Sequence, residues 1–105
     1  MPFHILAIIT PKADRIARVE EIAKEVATEV EKNEPGTLKY QWFRTGTAEA
    51  PTIVVWEVYA DEAAFETHKT SPALARLIEI EKQEGNLAAP LEVQPLEQFA
   101  GFASR

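Results

Sequence analysis

Two histidines and one acid stranded in an apolar run are the sparse material for chemistry in this sequence. His68 lies in EAAFETHKTS, one helical turn beyond Ala64 and Phe65, so its ring shares their apolar face. An imidazole titrates near neutral pH and can serve as a general base or orient a substrate. On an apolar stripe it can equally be a core side chain held by one hydrogen bond. Glu57 interrupts the otherwise apolar run Thr52–Tyr59. A buried carboxylate needs a partner or a shifted pKa. His68, Arg44 on the neighbouring strand, or a group across a dimer interface could supply that partner, and a purely structural ion pair is the competing reading. Tyr59 shares the strand face of Glu57, so both can line one pocket, although Tyr59 and Phe65 also fit plain core packing. Trp42 and Trp56 suit core or interface anchors as well as ligand platforms. His4, in an apolar strand, reads as structural.

Much other chemistry is excluded. There is no cysteine, hence no disulfide, thiolate zinc site, iron–sulfur cluster or cysteine nucleophile. No glycine-rich phosphate loop or dinucleotide fingerprint occurs. Two separated histidines without a close carboxylate cluster argue against a metal centre. Ser71 precedes a proline and Ser104 is near the chain end, so neither sits in a nucleophile elbow. Eleven Lys and Arg against 17 Asp and Glu give 11 − 17 = −6, with no basic run, which speaks against nucleic acid or an anionic membrane as partner. The run Ile5–Ile9 is far short of the roughly 20 residues of a membrane span, and no cationic leader precedes it. The expected location is cytoplasmic.

Elements must position these groups, and 105 residues with 46% hydrophobic content predict a single domain over residues 1–105. Phe3–Ile9 reads as a buried strand ending at Thr10-Pro11. From Asp14 to Lys32 the apolar residues Ile16, Val19, Ile22, Ala23, Val26, Ala27 and Val30 recur at helical spacing. The opposite face is charged; Glu20-Glu21 reads as solvated, with Glu20–Lys24 a favourable i,i+4 pair. Pro35-Gly36 stops this helix. Thr37–Arg44, with Tyr40, Trp42 and Phe43, is a strand, and Thr45–Pro51 a turn. Thr52–Tyr59 is the clearest strand. Asp61 caps a short helix to about Thr70, and Ser71-Pro72 starts another that Gly85-Asn86 ends. Leu91–Phe99 is the last strand, where Pro95 implies an edge or a bulge. The order β-α-β-β-α-β is the split βαβ of a ferredoxin-like α+β fold with an antiparallel sheet.

Strand parity carries this further. In Thr52–Tyr59, Ile53, Val55, Glu57 and Tyr59 lie on one face, and Val54, Trp56 and Val58 on the other. Both faces are largely apolar, whereas an antiparallel sheet with one wet face alternates apolar and polar. Two helices cover one face only. A second copy of the sheet is the simplest cover for the other, so a homodimer is expected, with Trp56 or Trp42 near its interface and the last strand reaching toward the partner.

EPGTLKYQWFR after an amphipathic helix, followed by TIVVWEVYADEAAFETHKTSPAL, resembles the antibiotic biosynthesis monooxygenase domain family over roughly residues 3 to 99. The sharpest parts are Glu34-Pro35-Gly36, Trp56-Glu57-Val58-Tyr59, and Ala64-Phe65 followed by His68. The resemblance implies a dimeric ferredoxin-like α+β barrel with pockets between sheet and helices. It also implies oxidation of quinols, anthrones and related phenols by dioxygen with no flavin, metal or haem, the substrate itself supplying the electrons. On the matched positions His68 is the implied base or orienting group, Glu57 holds it or its surroundings, and Tyr59 and Phe65 line the pocket. The candidates are thus His68, Glu57 and Tyr59 for catalysis, and Phe65, Trp56, Trp42 and Tyr40 for a small aromatic or quinone-type substrate. Haem-degrading relatives place an axial histidine in the following helix, where Pro72–Gln83 has none, and an asparagine on the first strand, absent from Phe3–Ile9. Tyr59 stands where they carry tryptophan. The competing reading is a non-catalytic dimeric small-molecule-binding or stress-related module on the same fold.

Overall fold

The computed structural model describes residues 1–105. The chain runs β1 (Phe3–Ile9), a single 3-10 turn (Ala13–Arg15), α1 (Ile16–Asn33), β2 (Thr37–Gly46), β3 (Pro51–Tyr59), α2 (Glu62–Lys69), α3 (Pro72–Glu84) and β4 (Glu92–Leu96). The four strands form one antiparallel sheet in the order β2-β3-β1-β4, the ferredoxin-like α+β topology. No helix is long and apolar enough to cross a membrane.

The punctuation residues act locally as their chemistry dictates. Asp61 accepts from Ala64 N at 2.9 Å, and Ser71 Oγ accepts from Leu74 N at 3.2 Å with Pro72 opening α3; such caps are worth about 1 kcal/mol each. Gly85 ends α3 in the left-handed conformation at φ 63. Four elements have bounds other than the expected ones. The first turn of the α1 segment is 3-10 rather than α. Strands β2 and β3 extend to Gly46 and Pro51, because a four-residue turn suffices between them. Gly46 has φ 84, and a Cβ there would stand 2.4 Å from Ala50 O. Strand β4 is shorter than Leu91–Phe99, and its Pro95 pairs with Ile5 at the sheet edge, where a missing N–H is tolerated.

The two sheet faces meet different surroundings. Ile5, Ala7, Ile9, Ile53 and Val55 are buried on the face that α1 covers with Val19, Ile22, Val26 and Val30. Parity turns Leu6, Ile8, Val54 and Trp56 the other way, where they are only half-buried with no helix over them. Lys39 Nζ lies 3.9 Å from the centre of the Trp56 ring on that open face.

Candidate active site

The covered face holds a polar cluster at the end where α1 stops and α2 begins. Glu34 closes α1 and is 9% exposed. Gly36 follows it, and a Cβ there would lie 2.8 Å from the Cβ of Ala64. The missing side chain therefore lets α2 dock against the start of β2. That docking, with Ala60 N donating to Gly36 O at 2.8 Å, swings His68 inward. His68 is 4% exposed, and its Nδ1 lies 2.7 Å from Glu34 Oε1. A carboxylate oxygen can only accept, so the pair fixes the Nδ1–H tautomer and the ring orientation.

The second pair stands beside the first. Glu57 and Tyr59, two residues apart on β3, face the same way, and the Tyr59 hydroxyl donates to Glu57 Oε1. The His68 ring centre lies 5.3 Å from that of Tyr40 and 5.5 Å from that of Tyr59. Phe65 closes the far side, 5.2 Å from Tyr59 and 5.4 Å from Phe3. Burial pushes the Glu57 carboxyl above the ordinary carboxylate range, against the opposing pull of the Tyr59 hydroxyl and of His68. Burial, reinforced by the neighbouring carboxylates, also raises both phenols, Tyr40 and Tyr59. Both hydroxyls thus stay protonated at neutral pH, and that of Tyr59 is the donor to Glu57. Arg44, one of the partners considered for Glu57, is elsewhere: it grips Glu20 through Nε and a terminal nitrogen at 2.8 and 2.7 Å.

A cavity of about 540 Å³ opens beside the cluster, between α1 and the edge strand β2. Tyr40, Trp42 and Phe43 give it an aromatic wall, Ala23 and Ala27 a small-residue wall, and Glu20, Lys24 and Arg44 a charged rim. Its size fits a drug-sized ligand. Tyr40 belongs to both regions, forming cavity wall on one side and packing on His68 on the other. A smaller apolar cavity of about 230 Å³ lies under α3 and shares Trp42, whose indole N–H is buried without a partner. His68 and Glu57 line neither cavity. No group of three or more His, Asp or Glu side chains is placed to hold a metal ion.

The structure thus brings His68, Glu57, Tyr59, Phe65 and Tyr40 together, sets Trp42 at the cavity, and leaves Trp56 on the opposite face of the sheet. The reading of residues missed Glu34 as the partner of His68. The available signal was small: an acid immediately before Pro35-Gly36, where the chain must turn inward.

The antibiotic biosynthesis monooxygenase family model matches residues 2–80. No curated protein matches the chain. Among solved structures, Rv0793 from Mycobacterium tuberculosis superposes with a TM-score of 0.81 at 18% identity, covering 98% of this chain and 100% of that one. A Caulobacter crescentus protein provisionally named an antibiotic biosynthesis monooxygenase gives 0.80 at 23% identity, with 94% and 91% covered. PA3566 from Pseudomonas aeruginosa gives 0.79 at 19% identity, with 94% and 95% covered. At these identities the likeness establishes the fold.

Proposed function

This chain belongs to the antibiotic biosynthesis monooxygenase family, and from that premise we propose that it is a cofactor-independent monooxygenase oxidising a small quinol- or anthrone-like aromatic with dioxygen. The observation that carries this reading is Tyr40, whose ring is shared between the aromatic wall of the open cavity and the buried His68. The substrate ring stacks in the cavity on Tyr40 and Trp42. His68, held by Glu34 on the far side of the Tyr40 ring from this cavity, is the base we assign to a methylene activated by two flanking aryl rings, and the Tyr40 ring must swing aside for that proton to reach it. Dioxygen adds to the resulting carbanion, and loss of water leaves a carbonyl: CH₂ + O₂ gives C=O + H₂O. Phe65, packed on Tyr59, and the two phenols shield His68 from bulk water.

The protein acts as a homodimer in this proposal. Proteins of this family are typically dimeric, and the open sheet face offers Leu6, Ile8, Val54 and Trp56 to a second copy. Phe99, 97% exposed, and Phe102, 68% exposed, give the segment beyond β4 an apolar grip on a partner. Such an interface buries more than about 1,000 Å² in total.

Oxygen uptake with a panel of hydroquinones and anthrones is the test. The wild type consumes oxygen with at least one of them, and His68→Ala lowers turnover about 10²–10⁴-fold, the usual worth of a general base, while the protein stays folded by thermal melt. Absence of uptake across the panel overturns the proposal, as does a destabilised His68→Ala with normal turnover per folded molecule. One observation favours the second reading, a non-catalytic binding module: His68 is sealed at 4% exposure. In that case ligand binds in the cavity and no oxygen is consumed.

A further inference from the structure

The mouth of the large cavity runs against the charge of the molecule. The chain carries a net −6, yet the charged groups lining this cavity are two cations, Lys24 and Arg44, and one anion, Glu20. Arg44 and Glu20 come from opposite walls, β2 and α1, and meet across the opening. The Glu20 carboxylate accepts from Arg44 Nε at 2.8 Å and from its terminal nitrogen at 2.7 Å, the fork geometry in which a guanidinium holds a carboxylate. The Arg44 side chain is nonetheless 75% exposed and that of Glu20 26%, so the pair is a solvated surface contact, the kind that contributes little and is readily exchanged. Lys24, one helical turn beyond Glu20, adds a second positive charge at the same rim.

We propose that this cavity takes an aromatic carboxylate, whose ring lies on Tyr40, Trp42 and Phe43 and whose acid group replaces Glu20 on Arg44. Glu20 is then an internal stand-in for the ligand: it keeps the guanidinium fork oriented while the cavity is empty and competes with the ligand when it arrives. Lys24 remains to neutralise the released Glu20. The aromatic wall supplies affinity without discrimination, and Arg44 supplies the choice of an acid over its neutral isostere. This names a substrate class for the cavity used in the proposed reaction, and so it rests on that reading only for the identity of the cavity.

The test is a binding experiment that does not involve turnover. Calorimetric titration at low salt compares 1-naphthoate with the neutral 1-naphthamide on the wild type, Arg44→Gln and Glu20→Gln, each checked by thermal melt. The wild type binds naphthoate about 2- to 5-fold tighter than naphthamide, the worth of an exposed ion pair, and 0.5 M salt erodes that preference. Arg44→Gln abolishes it. Glu20→Gln tightens naphthoate about 2- to 5-fold and leaves naphthamide unchanged, a gain that a merely structural ion pair does not produce. Equal binding of the two probes, no binding of either, or an unchanged naphthoate affinity in Glu20→Gln overturns the proposal. Oxygen uptake with neutral quinols is measured separately, so the proposed reaction can stand when this assignment falls.

Discussion

One sheet presents two faces that each depart from the usual arrangement of an antiparallel sheet, the covered one by a polar cluster at one end of its apolar core and the open one by its apolar side chains. The face hidden under α1 and α2 receives Tyr40, Glu57 and Tyr59 and, against them, Glu34 and His68. The face turned away from the helices receives Leu6, Ile8, Val54 and Trp56. Hidden carboxylates cost free energy unless they are bonded, and here each has a partner. Exposed apolar side chains cost free energy unless they are covered. The same strands, β1 and β3, build both faces by alternation. In our proposal the covered face serves chemistry and the open face serves another copy of the chain.

The comparison breaks most visibly on the open face. Trp56 is the largest side chain there, and replacing it by an acid leaves the covered core untouched. Trp56→Glu therefore yields a folded protein with wild-type far-UV dichroism that sediments as a monomer at micromolar concentration. Loss of a central aromatic anchor is worth about 2–4 kcal/mol, or about 30- to 1,000-fold in dissociation constant. A wild type that is already monomeric at that concentration removes the open face from the contrast.

The next largest effect lies on the covered face. Glu34→Ala strips His68 Nδ1 of its acceptor at a buried site. An unpaired buried donor costs about 1–3 kcal/mol, readable in urea titration as a lower midpoint at unchanged slope. Glu34→Gln keeps an acceptor and recovers most of the loss. Equal losses in the two variants mean that packing, not the hydrogen bond, is what Glu34 supplies.

How much of this contrast is legible in the sequence depends on the range of the contacts involved. The strand β3 and the parity that separates Glu57 from Trp56 follow from eight consecutive residues. Asp61, Ser71 and Gly85 mark their helix ends by chemistry that is local. His68 stands out because a ring on an apolar stripe must go inward. Glu34 and Glu20 do not stand out, since both look like solvated acids on a charged helix. Glu34 is buried only because α2 docks over Gly36, a contact of residues 28 apart. Glu20 is held by Arg44 from another element. The facing of Tyr40 and Trp42 is hidden for a further reason. The register between β2 and β3 slips between Thr37 and Lys39, and a bulge of this kind resets which side chains face the helices. In the proposed dimer the cover of the open face comes from a second chain, which one sequence specifies only through its unspent apolar residues.

The smallest effect sharpens the comparison through pH. Burial raises the folded-state pKa of Glu57 above its unfolded value, so the folded protein binds this proton more tightly than the unfolded chain does. The stability associated with it is fully present below the unfolded value of about 4.3 and is lost as pH rises through the folded pKa. At neutral pH, Glu57 is thus a liability that Tyr59 and His68 only partly offset. Glu57→Gln keeps an oxygen for the Tyr59 hydroxyl to donate to and removes the titration. It melts above the wild type at pH 7. The difference shrinks toward zero as pH falls below about 4.3. The same substitution leaves the dimer dissociation constant unchanged, because the Glu57 side chain faces away from the open surface. A stability gain that is independent of pH would mean that Glu57 titrates alike in the folded and unfolded chain, and a change in dimer affinity would mean that the two faces of the sheet are coupled through β3.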